Sequence, residues 1–302
     1  MELEEKRPLY RQQIIQTIPD LAIQSWRENH EGMVNDVVII NETLIFRFPK
    51  NDSWAVEDLH AEANILSFLR PRLEMPLPES TIYDGKLIGH SFMGQVMIPG
   101  QPLQQHDIYS LASRPQAALA EQLGTFLSQL HLMPVDKAKA AGITPSFTNR
   151  TGAQWLQLYE DVQRELFPHL MDFQKEWVHH HFTPLVDDPT WMESDWVMMN
   201  GDLASYHLLY NRDTGKLNGI IDFGTAGLGD PACDFACLLN QYGEPFVNQI
   251  GRTYGNTASL MGRAKFWAGT LWLQWALGGL RNPDDPSWFF VHIGRANGTL
   301  PT

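Results

Sequence analysis

Apolar and polar positions alternate with a period of two over the first part of the chain. Leu44, Phe46 and Phe48 fall on one side of a strand from Thr43 to Phe48, with Ile45 and Arg47 on the other. Leu21 to Trp26 and Val38 to Ile40 read as two earlier strands. A loop around Gly32 separates them, and an Asn41-Glu42 turn leads into Thr43, giving a strand–loop–strand–turn–strand meander. Residues 1–20 ahead of it read as a leading helix, with Pro8 preceding it and Pro19 ending it. The period then changes. From Ala55 to Arg70, Leu59, Glu62, Leu66 and Leu69 fall at i, i+3, i+7 and i+10 on one helix face. Met75-Pro76-Leu77-Pro78 breaks that helix. Thr81–Tyr83 and Lys86–Ile88 flank an Asp84-Gly85 turn, a hairpin signal. Ser91 to Ile98 is a further strand, and Pro99-Gly100-Gln101-Pro102 stops the sheet and reads as a hinge.

Beyond Pro102 the pattern is helical. Leu111, Leu119, Leu123, Phe126, Leu127 and Leu130 mark an amphipathic helix ending at His131. Residues 151–183 form further helix with Trp155, Leu158, Val162, Leu166 and Phe167 as core. The run His179-His180-His181 invites a metal reading, but consecutive residues diverge on a helix whereas ligand pairs prefer i, i+4 spacing, so a solvated turn is expected. Asp187 to Trp196 reads as a loop. Leu208–Tyr210 and Leu217–Ile221 form a hairpin about the turn formers Asn211, Asp213 and Gly215. Leu260 to Leu280 is a long helix whose aromatic set is core, with an exposed end available to a substrate cleft.

Composition narrows the class. The 302 residues suit two lobes or two modest domains, and 43% hydrophobic with 19% charged residues are globular values. The charged amino terminus lacks an apolar signal segment, and no apolar run reaches spanning length, so neither export nor a membrane is expected. Cys233 and Cys237 are too few for a disulfide framework and sit at i, i+4 on one helix face, consistent with small buried side chains in a reducing, cytoplasmic compartment. A net charge of −13 argues against nucleic acid as a partner and favours attraction of a cationic small molecule.

Chemistry concentrates between Asn200 and Phe235. Asn-Gly-Asp-Leu-Ala-Ser-Tyr-His (200–207) leads into the hairpin, Ile-Ile-Asp-Phe-Gly (220–224) leaves it, and Gly-Asp-Pro-Ala-Cys-Asp-Phe follows at 229–235. A hairpin brings its two flanks to one end, so Asp202, His207 and Asp222 converge. Two carboxylates and an imidazole held together suit a metal-bound polyphosphate, with one Asp orienting the attacking hydroxyl and the other holding Mg²⁺ with a second ligand. Asp230 is placed to cap a helix begun at Pro231, with Asp234 in its first turn. Upstream, Arg47 is a cation in mid-strand and Glu62 a carboxylate on an apolar helix face. Each offers the other a partner against the cost of burial, whether as a nucleotide-site pair or as a structural one.

The order of Gly201-Asp202, His207 and, about 20 residues after Asp202, Ile221-Asp222-Phe223-Gly224, followed by Asp230-Pro231-x-x-Asp234-Phe235, resembles the aminoglycoside phosphotransferases and related small-molecule kinases. It is most similar to the 2″-type enzymes, some of which carry His where most relatives carry Asn. The resemblance implies an α+β, two-lobe protein-kinase-like fold. Residues 1–99 would form a nucleotide-binding lobe with a five-stranded antiparallel sheet, and residues 100–302 a mainly helical lobe with the catalytic loop and substrate site. It assigns Asp202 as the catalytic Asp and His207 and Asp222 as Mg²⁺ ligands. Arg47 becomes the cation on the nucleotide's α/β phosphates, paired with Glu62, and the backbone of Met97 and Ile98 becomes the purine contact. The co-substrate is ATP or GTP. The loop around Gly32 would cover the phosphates, although one glycine makes no phosphate cradle by itself. Asn200 stands where most of the family has His, a residue that props the loop. Magnesium prefers oxygen ligands to imidazole, so His207 would hold it directly, through water, or not at all.

An aminoglycoside is the implied acceptor. The stretch that is carboxylate-rich in the 2″-type enzymes is here Asn240-Gln241-Tyr242-Gly243-Glu244, with one acid, supplemented at most by Asp284 and Asp285. A macrolide, amino alcohol or sugar is therefore the alternative. Two other classes remain on the residues alone. One is a nucleotide-binding pseudokinase without transfer activity, which the departures at Arg47, Asn200 and His207 would explain. The other is a metal-dependent hydrolase using the Asp/His set.

Overall fold

A computed structural model of the chain describes residues 2–50, 53–255, 257–282 and 286–295. Asp284 and Asp285, considered above for the acceptor pocket, lie outside them. The N-terminal part is an antiparallel sheet of five strands, β1 (Trp26–Asn29), β2 (Asn35–Ile40), β3 (Leu44–Pro49), β4 (Ser80–Tyr83) and β5 (Phe92–Val96), in the order β1-β2-β3-β5-β4. Two helices, α1 (Leu3–Lys6) and α2 (Tyr10–Thr17), precede it, and α3 (Trp54–Leu69) crosses between β3 and β4. The alternation read for β3 is the one observed. Phe46 and Phe48 are buried with Val38, Ile40, Phe92 and Tyr10 on one face, and Arg47 projects from the other toward Glu62 on α3.

Three local expectations are corrected. The leading helix is interrupted at Arg7–Leu9 by a tighter turn containing Pro8, which has no amide to continue the ladder. Leu21 to Ser25 is not a strand. The Asn41 carboxamide accepts the amides of Gln24 and Ser25 and donates to the Ala22 carbonyl, so a side chain satisfies the backbone that a sheet partner would have taken, and β1 begins only at Trp26. Asn41 and Glu42 form the expected turn, both with positive φ. Lys86–Ile88 is a turn closed by bonds from the Ile88 and Gly89 amides to the Gly85 carbonyl, and the partner of β4 is β5. Ile88 is apolar because it packs into the sheet's core.

The C-terminal part is mainly helical. It runs β6 (Gln101–Pro102), α4 (Gln105–Ser110), α5 (Ser113–His131), α6 (Val135–Ala140), α7 (Gly152–Asp161), α8 (Asp172–Asp187), β7 (Val197–Met199), β8 (Leu208–Asn211), β9 (Lys216–Ile220), β10 (Gly227–Gly229), α9 (Ala232–Tyr242), α10 (Glu244–Tyr254), α11 (Ala258–Leu280) and α12 (Ser287–Arg295). The hairpin β8–β9 forms as read, and β6 joins its edge through Gln101 opposite Tyr210 and Pro102 opposite Leu209, so the segment after Gly100 is itself paired. The His179–His181 run is not a solvated turn but lies within α8. His181 stacks on Phe266 at 4.8 Å between ring centroids, and its Nε2 is 2.9 Å from the Phe266 carbonyl. Burial draws its pKa down to about 4. Trp155, Val162, Leu166 and Phe182 join it in a core against α11. Among the described residues no helix is long and apolar enough to cross a membrane.

Candidate active site

The hairpin is what gathers the site. Asp202 lies before the short turn Ser205–His207 that enters β8, and Asp222 lies just beyond β9. Leu208 pairs with Ile220, and the Ile221 amide donates to the His207 carbonyl. The flanks are thereby closed on each other. His207 stands between the two carboxylates: Nε2 is 3.3 Å from Asp222 Oδ2, and Nδ1 is 3.6 Å from Asp202 Oδ2. Nδ1 is also 2.9 Å from the Asp202 carbonyl, an acceptor only, so Nδ1 carries a hydrogen. In the neutral imidazole Nε2 would then face Asp222 with a lone pair, which is stable only with a proton or a cation between them.

The electrostatics follow from that crowding. Burial pushes the Asp202 carboxyl above its ordinary value; His207 opposes the rise, and Asp222 and Asp234 add to it. Burial alone would lower His207, but its contacts with Asp222 and Asp202 outweigh this and raise it. Burial alone would raise Asp222, yet His207 and Arg47 bring it down to about 2. One carboxylate is thus tuned toward proton acceptance and the other is held ionised.

The loop is locked by residues that the pattern undervalued. Asn200 is fully buried and bridges the two key aspartates: its Oδ1 accepts the Asp202 amide at 3.0 Å, and its Nδ2 donates to the Asp222 carbonyl at 3.1 Å. Its replacement of the family's His therefore leaves a propped loop. Asp234, read from sequence as a first-turn helix residue, accepts the amides of Asn200 at 3.1 Å and Gly201 at 2.7 Å. His131, read from sequence as the end of an amphipathic helix, meets Asp234 at 3.0 Å and the Tyr254 hydroxyl at 2.9 Å. Only the repeated Asp of Asp230-Pro231-x-x-Asp234 gave any signal of this brace. Asp230 behaves as expected: it caps α9 through the Ala232 amide, and it also pairs with Arg263. Gly201 has φ of +83°, and a Cβ there would come within 2.9 Å of Thr148 Oγ1, so the loop needs glycine. Asp222 itself has φ of +64°, in the left-handed region that Asp tolerates better than most residues.

Across the cleft, Arg47 Nη1 lies 2.7 Å from both carboxylate oxygens of Glu62. Glu62 Oε1 also accepts the Phe223 amide at 3.3 Å, tying α3 to the segment that carries Asp222. A cavity of about 500 Å³ lies between the sheet and the hairpin. Arg47, Glu62, Met97, Ile98, Asp202 and Asp222 line it together with the loop residues Gly32 to Asn35. His207 stands behind this wall, its side chain 9% exposed. The Met97 amide is already given to the Thr43 carbonyl at 2.7 Å and so is not available to a base. Among the described residues no group of three or more His, Cys, Asp or Glu side chains could hold a metal ion, so the chain offers Asp222 and His207 Nε2 and no fuller cage. Such a sparse set suits a cation that keeps water and phosphate oxygens as its remaining ligands.

The phosphotransferase enzyme family model matches residues 25–267. A viomycin phosphotransferase from Streptomyces vinaceus is 26% identical over 267 residues, 85% of this chain and 88% of its own length. The structure of wild-type aminoglycoside 2′-phosphotransferase-IIIa in its GDP complex superposes with a TM-score of 0.85 at 27% identity, covering 96% of this chain and 97% of that one. The GDP and kanamycin complex of APH(2″)-IIIa gives the same TM-score, identity and coverage.

Proposed function

The chain belongs to the phosphotransferase enzyme family, and on that premise we propose that it moves the γ-phosphoryl group of ATP or GTP to a hydroxyl of an aminoglycoside-like acceptor. The observation that carries this reading is the convergence of Asp202, Asp222 and the Arg47–Glu62 pair on one cleft. Asp202 accepts a hydrogen bond from the acceptor hydroxyl, orients its oxygen toward the phosphorus, and takes the proton late. Arg47, held by Glu62, binds phosphate oxygens of the nucleotide. The Met97 carbonyl and the Ile98 amide are the backbone groups assigned to the base. Asp222 and His207 Nε2 would hold Mg²⁺, which neutralises charge on the phosphate oxygens when bound. The solved IIIa relative holds GDP, which supports a guanine nucleotide, while other solved structures of this fold hold ADP or ATP, so both triphosphates enter the test.

A less cationic acceptor has a specific observation in its favour. Glu244, the one acid of residues 240–244, is 2.8 Å from Lys265, so its charge is partly offset. The test is a labelled-triphosphate assay with ATP and GTP in turn against aminoglycosides, viomycin, macrolides, amino alcohols and sugars. Transfer to aminoglycosides supports the first reading, and transfer confined to macrolides, amino alcohols or sugars supports the second. Phosphate-ester hydrolysis without any triphosphate would overturn both.

A further inference from the structure

We propose that Lys50 is a nucleotide-positioning residue that anchors the β1–β2 loop over the phosphate end of the cleft and is itself held by the N-terminal helix through Asp36. This rests on the reading of the cleft as the nucleotide site. Gly32, Met33, Val34 and Asn35 line that cleft, yet the loop has a single glycine and no glycine-built turn to fix its shape. Its shape is imposed from outside. The Lys50 ammonium donates to the carbonyls of His30 and Gly32, and the Lys50 amide donates to the Val34 carbonyl at 2.9 Å. One residue thus holds alternate carbonyls along the whole loop.

The ammonium also lies 3.6 Å from Asp36 Oδ1. Two carbonyls take two of the ammonium's three hydrogens, while Asp36 at 3.6 Å acts on it as a charge and not as a hydrogen-bond acceptor. Lys50 is not among the residues that line the cleft, so it acts through the loop and not as a phosphate ligand. Asp36 is fully buried. Arg7 meets it at 2.9 Å through Nε, the Tyr10 hydroxyl at 3.1 Å, and His30 Nδ1 at 3.0 Å. Tyr10 is stacked on Phe48 at 4.0 Å. The start of the chain, β2, the end of β3 and the loop thus share one buried carboxylate. A planar guanidinium does not sit between the same two carbonyls and the Asp36 charge as an ammonium does, so arginine at position 50 restores the charge and only part of the hold.

The experiment is steady-state kinetics on the full chain, using the triphosphate and acceptor that wild type turns over, with Lys50→Met and Lys50→Arg. For Lys50→Met the KM for the triphosphate rises about tenfold, the equivalent of one net charge-assisted hydrogen bond, while kcat and the acceptor KM hold. Lys50→Arg falls between. Inhibition by the bare nucleoside, which has no phosphates, is unchanged, and hydrogen exchange at residues 31–35 quickens. A triphosphate KM equal to wild type, or an equal loss for nucleoside and triphosphate, would overturn the assignment. Should Lys50→Met fail to fold, Arg7→Met, which leaves Lys50 in place, gives a smaller rise in the same KM; no rise there overturns it too. Wild type that binds no triphosphate at all would sink the functional reading together with the inference, whereas a binding wild type with an indifferent Lys50→Met sinks the inference alone.

Discussion

Breaking the Arg47–Glu62 pair from one side should cost more than removing it whole. The two side chains are 16% and 2% exposed, so solvent does little to screen a charge left behind. Arg47→Met strands an ionised Glu62 whose Oε1 retains only the Phe223 amide. Glu62→Leu leaves the guanidinium with Asp222 as its neighbouring carboxylate and removes that amide's acceptor as well. Each single change is expected to cost about 3–5 kcal/mol, the range for an uncompensated buried charge. The double variant Arg47→Met with Glu62→Leu leaves neither charge of the pair and one unsatisfied amide, a deficit of about 1–3 kcal/mol, with Asp222 still held by His207. The cycle should thus close with a coupling of several kcal/mol, a large fraction of the roughly 5–15 kcal/mol that holds a domain folded. Urea unfolding followed by circular dichroism on all four proteins gives the numbers. Singles that each cost under about 1 kcal/mol and simply add would refute the claim that this is a buried, mutually dependent pair.

Four further outcomes are expected. Asp202→Ala abolishes phosphoryl transfer but leaves nucleotide binding, measured by calorimetry, largely intact; retained turnover would remove Asp202 from the chemistry. Wild type uses Mn²⁺ relative to Mg²⁺ better than His207→Asn does, because imidazole is the softer ligand; identical metal ratios in the two proteins would argue against ligation by His207. Asp234→Asn turns one of the two accepting oxygens into a donor, which then faces either the Gly201 amide or the Asn200 amide and His131, and should cost about 2–3 kcal/mol and lower kcat; an unchanged melting point and kcat would show that the loop needs no such brace. For Asp36, burial works to raise the pKa, but Arg7, His30 and Tyr10 prevail and lower it below the ordinary 3.8. Its stabilisation is accordingly present above that value and lost as pH falls through the depressed one. The stability gap between wild type and Asp36→Asn should be flat near neutrality and shrink in acid, and a gap that widens in acid would reverse the sign of the argument.

Elements with strong periodicity, and residues whose spacing a hairpin constrains, could be read along the chain alone. Strand Leu44–Pro49, helix Trp54–Leu69, and Asp202, His207 and Asp222 at the two flanks of β8–β9 were all legible, because alternation and turn chemistry are local properties of the chain. Pairing Arg47 with Glu62 was legible for a related reason: a cation in a strand and a carboxylate on an apolar helix face each need a partner. What satisfies a polar group at long range was settled by packing. The Asn41 side chain took the hydrogen bonds that a strand over Leu21–Ser25 would have needed. His181 packed on Phe266, Thr43 claimed the Met97 amide, and Asp234 holds the loop that carries Asp202 as well as standing in its helix. A carboxylate or an amide reads the same in sequence whichever distant donor or acceptor it meets, and the choice is made only when packing brings the two within hydrogen-bond distance.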